Sequence, residues 1–479
     1  MELTIAEIEK ACGGKLVIQD AAPDTQATSV VLDSRQVTER GVFVATVGER
    51  VDGHSFIGQV YEKGVSLVLT QKSPEQVEAE HGVRTDLWGS YLIVEDPFQA
   101  LKELAEYYRS KLDIPIVGIT GSVGKTSTKE FIAGVLSEQY EVLKTEGNYN
   151  NEIGVPLTLL RIQPSHTAAV IEMGISDFGE MHRLSKMVRP NVCVITNIGQ
   201  CHLETLGSRD GILKAKSEIF DYMAEDGIVC LNGEDDKLAA VTEVRGKQTH
   251  FFGLGGNPAE EVYATDIVGR GLRGSDAVLH LYVGQTEEKG CPVRVPLPGA
   301  HMVINAAAAA CVALHLGLEP RQICAGIGKV VSLSGRANLI WLSHYTLIDD
   351  CYNASPTPMR AALDLLAMAD TEKVAILGDM FDLGTESDTM HAGIGTYAVQ
   401  KGTDRILCVG ENARHMYEAA RKEASKGQQV CYFASRQELL EALREDRESL
   451  VPDGCCVLIK ASHGMMFPEV VSLLKELDQ

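Results

Sequence analysis

The sequence predicts an α/β protein of three domains, and three observations carry that prediction. Short apolar runs alternate with amphipathic helical stretches over most of the chain, as in parallel sheets covered by helices. One of those apolar runs leads through the glycine-rich segment Ile119-Thr-Gly121-Ser-Val-Gly124-Lys125-Thr126-Ser127 into a helical stretch. The length, 479 residues, suits about three domains at roughly 100 to 200 residues each.

In the first segment, residues 1–97, strands are predicted at 30–32, 42–44 and 66–70 and a helix at 55–63. The second, residues 98–332, opens with a helix at 97–111 and a strand at 114–119, then a helix at 128–138. Further strands follow at 168–172, 192–196 and 228–231, and residues 261–297 read as an antiparallel extension of the same domain with a glycine-rich turn at 269–274. The third segment, residues 333–479, alternates strands at 346–350, 374–378, 405–409, 430–433 and 456–460 with helices at 356–369, 388–402, 411–425 and 436–446. That rhythm predicts a Rossmann-like, doubly wound domain.

Composition narrows the function. Hydrophobic residues are 45% and charged residues 23%, ordinary for a globular protein. With 44 Lys and Arg against 66 Asp and Glu, the formal charge is −22. Such a surface repels a phosphate backbone, so no nucleic-acid partner is expected, although a local pocket can still hold nucleotide phosphates. The acidic first ten residues do not read as a signal peptide, and the most apolar helical stretch, 304–318, is too short to span a bilayer. The twelve cysteines form no Cys-x-x-Cys pair, and Cys455 and Cys456 point to opposite faces of any strand. A cytoplasmic protein without membrane insertion is expected.

The glycine-rich segment has the makings of a phosphate loop. Glycines let backbone amides curl around phosphate oxygens, and the helix N-terminus adds partial positive charge. Gly121, Ser122, Gly124, Lys125, Thr126 and Ser127 are the candidate ATP contacts, with Lys125 reaching the terminal phosphates and Thr126 a Mg²⁺ ion. The strict Walker spacing asks for glycine where this chain has Ile119; an ordinary glycine-rich strand-to-helix turn is the bland alternative. Glu172 ends the 168–172 strand and His202 follows the 192–196 strand. Both are expected at the loop's mouth as Mg²⁺ ligands, because open α/β sheets bind ligands at strand C-termini. Lys216 is harder to place: a second ammonium beside ATP and metal adds like charge to like charge, and a solvated helix face is the bland reading.

Taken together, the motifs resemble the Mur ligases. The resemblance rests on Thr120-Gly-x-x-Gly-Lys-Thr126, Gly147-Asn-x-Asn-Asn-x-Ile-Gly154, Glu172-Met-Gly, Thr196-Asn-Ile-Gly, His202-Leu-Glu-x-Leu-Gly207 and Ala215-Lys216-x-Glu-Ile219. Asp33-Ser-Arg35, Gly48-Glu-Arg-x-Asp-Gly-His54, Asp349-Asp-Cys-Tyr-Asn-Ala354 and Leu377-Gly-Asp-Met380 extend it over the whole chain. It implies a small UDP-sugar domain first, a central phosphate-loop ATPase domain, and a C-terminal Rossmann-like domain. It also implies ATP-dependent ligation of D-Ala-D-Ala to UDP-N-acetylmuramoyl-tripeptide through an acyl phosphate, with ATP and Mg²⁺ as cofactors. A monomer is expected, although no heptad or exposed apolar helix declares an oligomeric state.

The resemblance further implies that Lys216 is carbamylated and ligates a metal, with Lys125, Glu172 and His202 as the other catalytic residues. Asn305, Arg336 and Asp350 are implied nucleotide contacts; Ser34, Arg35, Asn150 and Asn151 contact the UDP substrate; Asn353 and His463 contact the acceptor. The family usually has Lys-Gly-Ser-Arg where this chain has Lys460-Ala-Ser-His463, a change at the expected acceptor site. Two other readings stand beside this one. A related ligase of Mur or folylpolyglutamate type would take a different acceptor, and a phosphate-loop switch protein would hydrolyse nucleotide only to change shape.

Overall fold

The computed structural model describes residues 1–48, 51–283, 286–331, 335, 337–381 and 383–478. Arg336 and the Glu49-Arg50 part of one quoted motif lie outside the described residues. The chain divides into two compact units: residues 1–266 with 278–293 and 303–328, and residues 267–277 with 294–302 and 329–479.

In the first unit, a small sheet runs Lys15–Val17, Tyr91–Ile93, Leu67–Thr70, Val42–Val44, Val30–Val31, parallel except for its Lys15–Val17 edge. The helix Pro97–Ser110 follows, started by Asp96, whose side chain accepts from the Phe98 and Gln99 amides, and by proline at its first turn. Its apolar face (Leu101, Leu104, Ala105) belongs to one continuous core that also contains Leu67 and Leu92 of the small sheet and Ile116 and Ile171 of the next. The first two sequence segments are therefore joined by shared apolar burial.

The central sheet places Ile228–Asn232, Val192–Ile195, Ile116–Thr120, Ala168–Glu172 and Val142–Lys144 side by side, all parallel. The chain steps outward from Ile116–Thr120 on one side, then returns to its other side with Val192–Ile195. Ile116–Thr120 is thus the topological switch point, where the helices diverge and leave a crevice at the strand C-termini. Lys247–Gly253, Glu260–Gly269, Ser275–Val283 and Thr286–Val295 continue the same sheet beyond Ile228–Asn232. Glu260–Gly269 joins it parallel, however, where the sequence suggested an antiparallel extension, and residues 267–277 and 294–302 group with the second unit.

The second unit holds a sheet in the order Asn338–Trp341, Thr346–Asp349, Cys456–Lys460, Lys373–Gly378, Arg405–Val409, Gln429–Phe433. All neighbours are parallel except the Asn338–Trp341 edge, which the sequence reading did not anticipate. The last strand of the chain sits near the sheet's centre. Val374 and Ile376 face a core shared with helices Arg436–Glu445 and Pro468–Glu476, while Ala375 and Leu377 face one shared with Pro356–Leu366, Ser387–Gln400 and Ala413–Glu423. Helices on both faces give the expected Rossmann-like layering. Cys455 and Cys456 do fall into opposite cores.

Candidate active site

The phosphate loop is built where the switch point puts it. The helix Lys125–Leu136 begins three residues earlier than the sequence suggests, so Thr126 and Ser127 occupy its first turn with their amides at the positive end. Gly121 has φ +152° and a Cβ there would lie 1.9 Å from Thr196 Oγ1; Gly124 has φ +79°. Ile119, at the Walker glycine position, is instead a buried strand residue. The close approach that requires glycine has moved two residues along.

The loop is clamped from the neighbouring strand. Ser122 N donates to the Asn197 carbonyl at 3.1 Å, Val123 N donates to Asn197 Oδ1 at 3.0 Å, and Thr196 Oγ1 donates to the Val123 carbonyl at 2.7 Å. Ser122 Oγ accepts from Gly199 N at 2.8 Å. Lys125 Nζ donates to the Gly121 carbonyl at 2.9 Å, folding back over the loop. Asn305, on the helix Ala300–His315, meets the loop's helix at Thr128, 3.0 Å between side-chain oxygens.

Parallel register sets Glu172 opposite Ile119, one strand over from the loop. Its carboxylate is 2% exposed. Oε1 accepts from Asn150 Nδ2 at 2.9 Å, whereas Oε2 is buried with no hydrogen-bond partner. Lys129 Nζ lies 3.9 Å from that oxygen, donating instead to the Thr145 carbonyl at 2.6 Å and pairing with Glu130 at 3.2 Å. A buried carboxylate oxygen without a donor is costly unless a cation completes it. The Glu172 carboxylate and the Thr126 hydroxyl are oxygen donors of the kind that a hard cation such as Mg²⁺ takes. His202 holds a left-handed backbone, φ +55°, and lines a cavity of 520 Å³ together with Lys125, Asn150 and Asn151.

Lys216 lies on the helix Arg209–Ser217 and is 1% exposed. Burial first, and the Lys125 charge second, pull its ammonium down from 10.5 to about 8. Lys214, two residues away, instead lies over the Phe178 ring. The solvated-face reading of Lys216 therefore fails.

The remaining candidates divide. Asn151 engages its side-chain oxygen with the Ile153 and Gly154 amides at the start of the helix Gly154–Leu160. Ser34 is buried and its carbonyl accepts from Lys63 Nζ at 2.7 Å; Arg35, its side chain 87% exposed, is held in a fork by Asp33. Neither Ser34 nor Arg35 lines the Lys125 cavity.

In the second unit, Asp350 lies at a strand end with both oxygens engaged. Oδ2 accepts from Lys460 Nζ at 2.7 Å and Oδ1 from Ala337 N at 3.0 Å. Lys460 also donates to the Asn353 carbonyl at 2.9 Å. The His463 ring stands 6.0 Å from that of Tyr352. The sequence reading missed Lys129, Thr145 and the Lys460–Asp350 pair. Lys129 directly follows the quoted phosphate-loop motif by three residues, but nothing local marks it as buried.

Family models match three stretches: residues 26–109 the Mur ligase family catalytic domain, 119–313 the Mur ligase middle domain, and 335–463 the Mur ligase glutamate ligase domain. UDP-N-acetylmuramoyl-tripeptide–D-alanyl-D-alanine ligase of Bacillus subtilis is 35% identical over 450 residues, 93% of each chain. The chain belongs to the Mur ligase family. The Escherichia coli protein of the same name is 32% identical, over 99% of each chain. Among solved family members, MurF from Acinetobacter baumannii superposes with a TM-score of 0.85 at 32% identity over 99% of each chain. MurF ligase from Thermotoga maritima in complex with ADP gives 0.71 at 26% identity, over 94% of this chain and 98% of that one. No helix among the described residues is long and apolar enough to cross a membrane.

Proposed function

We propose that this chain is an ATP-dependent amide ligase that joins D-Ala-D-Ala to UDP-N-acetylmuramoyl-tripeptide, giving ADP and phosphate in peptidoglycan precursor synthesis. The observation that carries the reading is the arrangement at one strand end: a phosphate loop with Lys125, the partnerless buried oxygen of Glu172, and a buried Lys216 whose amine is pulled down. Family membership supports it, and so do the names of the relatives.

A carboxylate is a poor acyl donor. One of its oxygens attacks the γ-phosphorus of ATP, the bond to the β–γ bridging oxygen breaks, and ADP leaves. The acceptor amine then attacks the acyl carbon, inorganic phosphate departs with the former carboxylate oxygen, and the nitrogen loses a proton. The barrier is dominated by charge crowding at the transferring phosphoryl group. Gly121, Ser122, Gly124, Thr126 and Ser127 offer backbone or hydroxyl groups to the phosphates. Lys125, now on the Gly121 carbonyl, has only to exchange that partner for a phosphate oxygen. Thr126, Glu172 and His202 are the residues that would hold Mg²⁺, which would supply charge neutralisation there. The lowered Lys216 amine is neutral often enough near pH 8 to add carbon dioxide, forming a carbamate and releasing a proton. The product carries negative charge and oxygen donors suited to a second Mg²⁺.

Residues 1–97, with Ser34 and Arg35, are assigned to the UDP end of the substrate, together with Asn150 and Asn151. Residues 98–332 hold ATP, Asn305 included through its contact with the loop's helix. In residues 333–479, Asp350, and Arg336 by its sequence position, are assigned to the nucleotide by resemblance; Asn353 and His463 are assigned to the acceptor. Asp350 keeps a second lone pair on each oxygen with which to accept a ribose hydroxyl beside Lys460 and the Ala337 amide. One chain supplies every assigned group, so a cytoplasmic monomer is proposed. The test measures ADP release and amide product together: both should need ATP, the UDP-linked tripeptide and D-Ala-D-Ala. Nucleotide turnover that ignores the tripeptide would sink the reading.

A further inference from the structure

We propose that His250, Glu261 and His315 form a site for a divalent transition-metal ion of zinc type, separate from the Mg²⁺ of the ligase reaction. The three residues come from different elements: the strand Lys247–Gly253, the strand Glu260–Gly269 and the C-terminal end of the helix Ala300–His315. Their ligand atoms all lie within 4.8 Å of one another. His250 Nδ1 is 3.0 Å from each Glu261 carboxylate oxygen, and His315 Nε2 is 3.3 Å from Oε2. Metal–nitrogen bonds of 2.0–2.1 Å in a tetrahedron put neighbouring ligand atoms about 3.3 Å apart, so these spacings need little adjustment.

A plain hydrogen-bonded triad explains the cluster less well. The two imidazoles are tilted at 47° to each other with centroids 3.8 Å apart, and both approach a single carboxylate. His315 Nε2 is buried and lies 3.3 Å from Glu261 Oε2, close enough for charge pairing but off the line of a well-formed hydrogen bond. A ring nitrogen that is close to a carboxylate without pointing along a hydrogen bond suits ligands converging on a common third point. The Cys311 thiol, one helical turn before His315, lies beside the same imidazole and beside Cys230, outside the three-residue cluster. Two imidazoles and a carboxylate favour zinc, cobalt or nickel over Mg²⁺ or Ca²⁺.

The contrast with the other cluster of potential ligands among the described residues is useful. Asp52, Glu80 and His81 already surround Lys72 Nζ, which lies 2.9 and 2.6 Å from the two carboxylates. Among the described residues, no ammonium or guanidinium pairs with Glu261. His250, Glu261 and His315 also border a cavity of 730 Å³, which gives an ion a route in. Between Asn305, which touches the phosphate-loop helix, and His315, the helix rises about 15 Å at 1.5 Å per residue. The ion would therefore tie two strands of the sheet extension to the far end of that helix.

The test uses the full chain, stripped with a chelator and then titrated with Co²⁺ in excess Mg²⁺, which occupies hard-oxygen sites. The expected result is one Co²⁺ per chain with the visible absorption of a low-coordinate, nitrogen-ligated ion, displaced by one equivalent of Zn²⁺. X-ray absorption of the zinc-loaded wild type should show imidazole ligation, a readout independent of any variant. His250→Gln and His315→Gln should each weaken Co²⁺ binding by more than the roughly 10- to 100-fold that losing a mere ligand-orienting group costs. Mg²⁺-dependent ligase turnover should persist in both variants. Absence of such absorption, or Co²⁺ binding that survives unchanged in both variants, overturns the assignment.

Discussion

At the phosphate-loop mouth, charge is left open: one buried oxygen of Glu172 has no donor, Lys125 rests on a backbone carbonyl, and burial pulls the Lys216 amine down. At the strand end carrying Asp350, charge is closed: Lys460 and the Ala337 amide satisfy both carboxylate oxygens. The two places have the same raw materials, a carboxylate and lysines at the C-termini of parallel strands. On the proposed reading, the first is a site prepared for incoming phosphate and metal, and at the second the carboxylate assigned to the nucleotide is also tied into the fold by its lysine. Substitutions should therefore affect activity without stability at the first place, and stability first at the second.

The largest effect is expected for Lys125→Ala, which should lower ligation by about 10³-fold or more while leaving the circular dichroism spectrum unchanged. ADP release with all substrates present reads it out. Glu172→Gln comes next, with a fall of roughly 10²-fold and a raised Mg²⁺ requirement. Its unfolding free energy should change by less than about 1 kcal/mol, because no hydrogen bond to Oε2 is lost. A large loss of stability in that variant would break the comparison.

Lys216 sharpens it further. The folded amine titrates near 8 and the unfolded one at the ordinary 10.5, so between those values the unfolded chain binds more protons. Stability then rises with pH from about 8 towards 10.5, and the penalty is fully present below 8. In bicarbonate-free buffer at pH 7, Lys216→Met should be inactive yet more stable, by up to about 3 kcal/mol. That gain should vanish above pH 10.5, as denaturation at the two pH values will show.

Lys460→Met should do the reverse, leaving Asp350 without its cation at a cost of about 2–3 kcal/mol; the partial exposure of the carboxylate keeps this below the full buried-pair value. Chemical denaturation measures it, and a second change, Asp350→Leu, should recover part of the loss. The smallest effect is expected for His463→Arg, which restores the residue usual in the family. It should lower KM for D-Ala-D-Ala a fewfold with kcat nearly unchanged; no change in KM would remove His463 from the acceptor site.

Most strands and helices were legible in the sequence because each has a period that burial enforces, as in Ala168–Glu172 and Cys456–Lys460, found at their expected bounds. Glu172 and the phosphate loop were legible for a related reason, since strand ends in parallel sheets gather at one edge. Lys129 was not: a lysine in an amphipathic helix reads as solvated until tertiary packing encloses it. The Lys460–Asp350 pair joins residues far apart in sequence, and no local pattern announces it. Asn338–Trp341 escaped notice because a four-residue edge strand carries too little alternation to stand out. Lys216 was singled out by resemblance alone, and its burial supplies the physical reason that spacing did not.

The central claim is that the tripeptide carboxylate is activated as an acyl phosphate before the amine attacks. Tripeptide substrate labelled with ¹⁸O in its reacting carboxylate, incubated with ATP and D-Ala-D-Ala, tests this directly by mass analysis of the phosphate released. The account predicts one ¹⁸O in each inorganic phosphate formed and one retained in the new amide. Unlabelled phosphate accompanying amide product would contradict it.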